Sequence, residues 1–251
     1  MLGSRDWIGV RILGYHRVAE APGDDLAVAP SAFREQMEAV LEGSAKPVRL
    51  EAALDLLEHP IEARYMCVTF DDAYHDNLEN AAPILEELRI PATIFAPSLI
   101  IDGLAEYYWY ENAPRALDWQ EISDIVGGGL IDVQAHSRTH PRLTSLDDSQ
   151  AREEIFGCKS EIESHLPYEL TSFCYPSGFY GSREADLVRE AGFRAGVTTD
   201  PGVNDANVPR EMLRRTMIYG CDSLKDFRAK IDGSLDKPPL LRKLLYRRLP
   251  T

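Results

Sequence analysis

At 251 residues, with 44% hydrophobic and 27% charged residues, the chain can bury a large core in one domain, and no second domain is required. A net charge of −14 and a pI near 4.9 set up a field that repels nucleic acid and anionic polymers, which favours a neutral substrate. The four cysteines, Cys67, Cys158, Cys174 and Cys221, form no CxxC or close pair; they support neither a zinc knuckle nor a dense disulfide framework, and they suggest a reducing compartment.

The first residues carry no basic region followed by a long apolar run, and no stretch approaches about 18 uninterrupted apolar residues. As it stands, the sequence reads as cytoplasmic. Residues 10–15 are a strand ending at His16. A helix opens at Pro30-Ser31, with Ser31 as its N-cap, and runs to 42, with Phe33, Met37, Val40 and Leu41 at helical spacing. A short strand over 47–50 and a short helix over 52–57 precede the strand over 65–70, which runs abruptly into the adjacent carboxylates Asp71 and Asp72. Two neighbouring acids are poor core material; alone they would serve equally well as caps of the next helix.

A helix over 80–88 and a strand over 92–96, closed by Pro97, continue the rhythm. Residues 98–117 break it. They carry Tyr107-Tyr108-Trp109-Tyr110 and look inserted; such rings could stack on sugar faces or staple the loop to the body. A helix over 119–125, stopped by Gly127-Gly128-Gly129, leads to a strand over 130–135 that ends in His136, with His140 four residues on. Pro141 disfavours helix there, so His136 falls at a strand end and His140 in the loop after it. Two histidines and one aspartate form a divalent-metal site with positions left open for water and substrate, a far more specific signal than either half.

A helix over 148–165 follows, then a strand over 171–175 entering Tyr175-Pro176-Ser177-Gly178, a helix over 183–191, and a strand over 194–199 entering Asp200. The strand over 214–219 and the helix over 223–231 end the regular part. Strand and helix alternate about seven times, which calls for parallel strands covered by helices. A closed barrel and an open doubly wound sheet both satisfy that pattern. His16, Asp71, Asp72, His136, Tyr175 and Asp200 all fall at C-terminal strand ends, which a barrel would gather at one mouth. The expected fold is therefore an α/β, irregular (β/α) barrel of about seven parallel strands over residues 1–236. No glycine-rich phosphate loop is present.

At Thr69-Phe70-Asp71-Asp72, His136-Ser137-Arg138-Thr139-His140-Pro141 and Tyr175-Pro176-Ser177-Gly178 the sequence resembles the polysaccharide deacetylases, carbohydrate esterase family 4. The resemblance implies removal of N-acetyl groups from an amino-sugar polymer. Asp71 would be the catalytic base, and Asp72, His136 and His140 the ligands of one divalent ion, zinc first, with Co2+, Ni2+ or Mn2+ as other occupants. Ser177 would supply a backbone N–H to the oxyanion, with Tyr175 and Pro176 on the substrate side. Trp119 would line the pocket for the acetyl methyl, although the amphipathic face of its helix accounts for it too.

No histidine follows His165, so the family's late histidine acid is missing. His16 resembles the N-terminal histidine of the poly-N-acetylglucosamine deacetylase branch and would be the acid, with His75 as the alternative; His59 and His165 read as surface residues. Three positions depart from the family pattern: Ala73 stands for the usual glycine, and Cys174 and Ser177 stand where arginine and tyrosine are common. Loss of that arginine would leave Asp71 less well oriented.

Two other readings stay open, a metal-dependent hydrolase of a small non-sugar amide and a carbohydrate-binding protein of weak turnover. Residues 237–251 form a basic amphipathic tail, which could rest on an anionic membrane surface or pack on the barrel. Nothing in the sequence sets an oligomeric state.

Overall fold

The computed structural model describes residues 7–236. Seven strands carry the site: β1 (Gly9–Tyr15), β2 (Arg64–Asp71), β3 (Ala92–Ala96), β4 (Ile131–Ala135), β5 (Ser172–Cys174), β6 (Ala195–Val197) and β7 (Arg215–Met217). All pair in parallel, in the order β7-β1-β2-β3-β4-β5-β6, so each lies beside its chain neighbour and the last beside the first. The ring is nearly closed by a parallel bridge from Val197 of β6 to Leu213, just ahead of β7. An eighth short strand, Lys46–Pro47, pairs with β2 outside this ring. The barrel is the expected fold, and the open sheet is not formed.

Strands buried on both faces read as short apolar runs, and these do: every residue of β1, β3, β4, β5 and β6 is buried. One side of the ring packs a small inner core of Val10, Ile12, Cys67, Phe95, Cys174 and Val197. The other packs the helices through a larger core that includes Leu13, Val68, Ile94 and Val133. Cys67 is the plain core residue expected; Cys174 and Cys158 are buried as well, and the Cys174 thiol meets polar groups of the site.

Element ends differ from expectation where side chains outside the periodic pattern decide them. The helix Pro30–Glu42 starts two residues before the position that Ser31 would cap, with Ala29 as its N-cap, and Ser31 caps nothing. Pro30 explains this, because a proline in the first turn lacks an N–H that would otherwise need a cap. The helix expected from 80 begins with a π-helical turn, Asn77–Ala81, before the α-helix Ala82–Leu88. A second π turn, Glu153–Gly157, splits the helix expected over 148–165 into Asp148–Arg152 and Cys158–Glu163. The short pair Arg17–Val18 and Ala27–Val28, invisible to periodicity at two residues each, braces the loop after β1.

Within the described residues no helix is long and apolar enough to cross a membrane. The expected tail over 237–251 lies outside the described residues.

Candidate active site

The C-terminal ends of the strands surround one cavity of about 300 Å³, whose lining includes His16, Asp71, Asp72, His136, His140 and Ser177. These residues follow four different strands, and ring closure alone brings them together. The loops that carry them are held in strained backbone. Of the six non-glycine residues with positive φ among those described, five are here: Asp72 (71°), Ala73 (54°), Ser137 (61°), His140 (58°) and Ser177 (56°). Left-handed backbone disfavours L-residues by about 1–2 kcal/mol each, so the surroundings must over-determine it. Ala73, where the family pattern has glycine, is one of the positions that pattern would relax.

The π turns supply part of that constraint. Asn77 Nδ2 donates to the His16 carbonyl at 2.8 Å and Asn80 Nδ2 to the Val18 carbonyl at 2.8 Å, which seats the His16 loop. In the second turn, the Glu154 carboxylate accepts from the Arg138 and Thr139 amides and from the Thr139 hydroxyl at 2.7–2.9 Å. Glu153 and Glu161 pair with the Arg138 guanidinium. The His136–His140 loop is thereby clamped from outside.

Asp72 Oδ1 lies 3.4 Å from His136 Nε2 and 3.4 Å from His140 Nε2. That oxygen is buried without a hydrogen-bond partner. Tetrahedral donors about 2.1 Å from a zinc-like ion stand about 3.4 Å apart, so both Asp72–histidine distances have the spacing such an ion needs. The orientation fits as well: His136 Nδ1 donates to the Cys174 carbonyl at 2.8 Å, so Nε2 is the nitrogen that faces Asp72 and the one a bound ion would take in place of a proton. Burial pushes His140 down to about 4, keeping it in the neutral form that can ligate. Burial acts on His136 in the same direction, but Cys174 and the two aspartates outweigh it and hold His136 well above its ordinary value. The pocket draws positive charge to Asp72.

Asp71 does something else. Arg215, the first residue of β7, grips it with both guanidinium arms, Nη1 to Oδ1 at 2.6 Å and Nη2 to Oδ2 at 2.7 Å, and both side chains are buried. Burial alone would raise the Asp71 carboxyl; the Arg215 charge and hydrogen bonds overcome it and hold the group well below the usual carboxylate range. This corrects the expectation that Cys174 in place of arginine leaves Asp71 loosely oriented. The arginine comes from β7, and Cys174 Sγ accepts from its Nη2 at 3.1 Å. Asp71, His136 and Cys174 also offer donors within 4.8 Å of one another, but Arg215 already occupies Asp71 and the thiol.

Trp119 is a second correction. Its ring stacks on His165 with centroids 4.0 Å apart, and its Nε1 donates to Asp102 at 2.6 Å; it is absent from the cavity lining. Two of the cavity's aromatics, Tyr108 and Trp109, come from the inserted segment instead, and Tyr219 lines it from beyond the last strand. Trp109 packs 4.5 Å from the His140 ring, and Tyr108, 67% exposed, stands at the rim. The remaining rings staple: Tyr107 donates to the Asp72 carbonyl at 2.8 Å, and Tyr110 to Asp24 at 2.7 Å. The stapling reading is realised by Tyr107 and Tyr110, while Tyr108 and Trp109 line the cavity.

His75 pairs with Glu121 at 3.3 Å and does not line the cavity, whereas His16 does. Tyr175 is buried, with its hydroxyl on the Glu211 carbonyl, and Pro176 is buried; neither lines the cavity, and both position the turn that presents Ser177. Next to it, Gly178 (φ 72°) is required, because a Cβ there would stand 2.0 Å from Thr199 Oγ1. Trp109→Ala is expected to weaken divalent-ion affinity about 10–100-fold by loosening His140, and Trp119→Ala to leave it unchanged, both read by metal titration.

A family model described as polysaccharide deacetylase matches residues 59–196. YxkH of Bacillus subtilis (strain 168), named for the same family, is 25% identical over 224 residues, covering 88% of this chain and 76% of its own. The poly-beta-1,6-N-acetyl-D-glucosamine N-deacetylase of Staphylococcus aureus (strain MRSA252) is 23% identical, covering 80% of this chain and 77% of its own. Among solved structures, IcaB from Ammonifex degensii superposes with a TM-score of 0.78 at 21% identity, over 90% of this chain and 97% of that one. Streptococcus pyogenes deacetylase PplD, solved with acetate, gives 0.76 at 21% identity, over 88% and 97%. Those two likenesses establish the fold.

Proposed function

The chain belongs to the polysaccharide deacetylase family, and from that premise we propose that it is a divalent-metal-dependent N-deacetylase of an N-acetylated amino-sugar polymer or oligomer. The observation that carries this reading is the buried Asp72 oxygen, unpartnered and equidistant from two imidazole nitrogens, beside a second aspartate held ionised by an arginine.

An acetamide is a poor electrophile with a poor leaving group. Hydrolysis needs a sharpened nucleophile, a hold on the oxyanion and a proton for the amine. A divalent ion held by Asp72, His136 and His140, zinc before Co2+, Ni2+ or Mn2+, supplies Lewis acidity and lowers the pKa of water. Asp71 takes the proton as the water oxygen bonds to the acetyl carbon. Its role as base rather than ligand is supported by Arg215, which engages both of its oxygens.

The Ser177 N–H stabilises the oxyanion that forms, a contribution typically of about 3 kcal/mol. His16 then protonates the nitrogen as the C–N bond breaks, releasing acetate and a free amine. His16 is supported by its place in the cavity lining and by a buried Nδ1 without a partner. The name of the Staphylococcus aureus relatives makes a β-1,6-linked N-acetylglucosamine chain the first substrate to try.

The test is acetate release from a panel of N-acetylated glycans and small amides. Prolonged chelation is expected to lower the rate at least about 100-fold, and a stoichiometric divalent ion to restore it. Full activity after chelation, or release from small amides alone, overturns the reading. Asp71→Asn and His16→Ala assign the two proton transfers; an unchanged rate in His16→Ala removes it as the acid.

A further inference from the structure

Where β4 lies beside β5, the backbone ladder is one residue pair long, Ala135 with Phe173, against five pairs between β3 and β4 and three between β5 and β6. The two halves of the site divide at this seam. His136 is tied to β3, its N–H donating to the Ala96 carbonyl at 3.0 Å. The turn that presents Ser177 is tied to β6 instead, the Tyr175 N–H donating to the Val197 carbonyl at 3.1 Å. The separation of the histidines from the Ser177 N–H therefore depends on what spans the seam.

Side chains span most of it. At the site end His136 Nδ1 donates to the Cys174 carbonyl at 2.8 Å. At the other end the Tyr168 hydroxyl takes the place of a strand beside Val133, accepting from its N–H at 2.9 Å and donating to its carbonyl at 3.2 Å. Between them Gln134 Oε1 accepts from the Thr171 and Ser172 amides, both at 2.9 Å. Gln134 and Ser172 are buried, and a buried N–H without an acceptor is costly, so these two amides fix Oε1 and turn Nε2 the other way. There Nε2 donates to Asp132 Oδ2 at 3.0 Å, while Asp132 Oδ1 accepts from the Thr93 hydroxyl at 2.8 Å. A buried chain of hydrogen bonds thus runs from Thr93 of β3 through Asp132 and Gln134 to the start of β5.

We infer that Gln134, oriented by Asp132, is a positioning residue: it sets how far the Ser177 N–H stands from the histidines, and so whether that N–H meets the oxyanion. The inference rests on the deacetylase reading above. Gln134 touches neither substrate nor the reacting atoms; it acts through β5.

The test uses the full chain with the divalent ion saturating, and acetate release from a β-1,6-linked N-acetylglucosamine oligomer. A displaced oxyanion donor is felt in the transition state, so Gln134→Met is expected to lower kcat at least about tenfold with KM within about threefold of the wild type. Its Thr171 and Ser172 amides should exchange hydrogen at least about tenfold faster, read by NMR. Gln134→Glu keeps an acceptor for both amides but brings two carboxylates together; adding Asp132→Asn restores a hydrogen-bonded pair with its direction reversed. That double variant is expected to return kcat and exchange to within about threefold of the wild type, and its comparison with Gln134→Glu decides the matter if Gln134→Met does not fold. A folded Gln134→Met protein with wild-type kcat, or a double variant that regains slow exchange without regaining kcat, overturns the positioning role and leaves the deacetylase reading intact. Acetate release by the wild type from no N-acetylated glycan overturns both.

Discussion

Replacing Arg215 by methionine is expected to lower acetate release at least about 100-fold, the share that a positioned general base contributes. The variant is also expected to lose about 3–5 kcal/mol of stability in urea unfolding, because Asp71 would be left buried and unpaired. Charge alone does not set the effect: both arms of the guanidinium meet both carboxylate oxygens, and lysine cannot reproduce that fork. Arg215→Lys is therefore expected to recover little of the loss.

The pH dependence supplies an independent sign. In the wild type the folded-state value of Asp71 is depressed. Its stabilising contribution is complete above the unfolded carboxylate value of about 3.9 and is lost as pH falls below that toward the folded value. In Arg215→Met, burial without a partner raises Asp71 instead. The group then favours folding in acid and ceases to as pH rises through its new value. The acid limb of the rate profile should move upward with it. A variant within about threefold of the wild-type rate, with an unmoved profile, would show that Asp71 is not the base.

Asp72→Asn is expected to lose activity at least about 1,000-fold by abolishing divalent-ion binding, and the stability data identify the cause. Against its burial, His140 and His136 hold Asp72 below the usual carboxylate range, so making the side chain neutral removes an attraction that the metal-free fold already has. The metal-free variant should melt no higher than the metal-free wild type. An ion at about 100 times its Kd should stabilise the wild type by about 2.7 kcal/mol and the variant by almost nothing. A full metal-induced rise in Tm in Asp72→Asn would place the ion elsewhere.

The strands were legible because buried parallel strands read as short apolar runs, and their C-terminal ends were legible because a polar, chemistry-bearing residue follows nearly every one. Asp71-Asp72 and His136–His140 stood out for the same reason: charged or ligating side chains directly after apolar runs have no structural use that explains both. Arg215 carried a signal too, an arginine in a strand between Leu213 and Met217, but nothing local says which carboxylate it faces. The sequence pointed to Trp119 rather than Trp109 as the tryptophan of the cavity lining, because Trp109 sits in a segment without periodicity. Both π turns were invisible, being set by what Asn77, Asn80 and Glu154 bind rather than by their own spacing.

By itself the sequence determined which residues lie at strand tips, since alternation and burial are properties of neighbours along the chain. Only the tertiary structure decided how those tips face one another. Pairing of β7 with β1 brings Arg215 to Asp71 across 144 positions, so the orienting arginine expected near Cys174 arrives from another strand. Hydrogen bonds and ion pairs act through space at a few ångströms, and no local pattern records a contact that exists only once the ring closes.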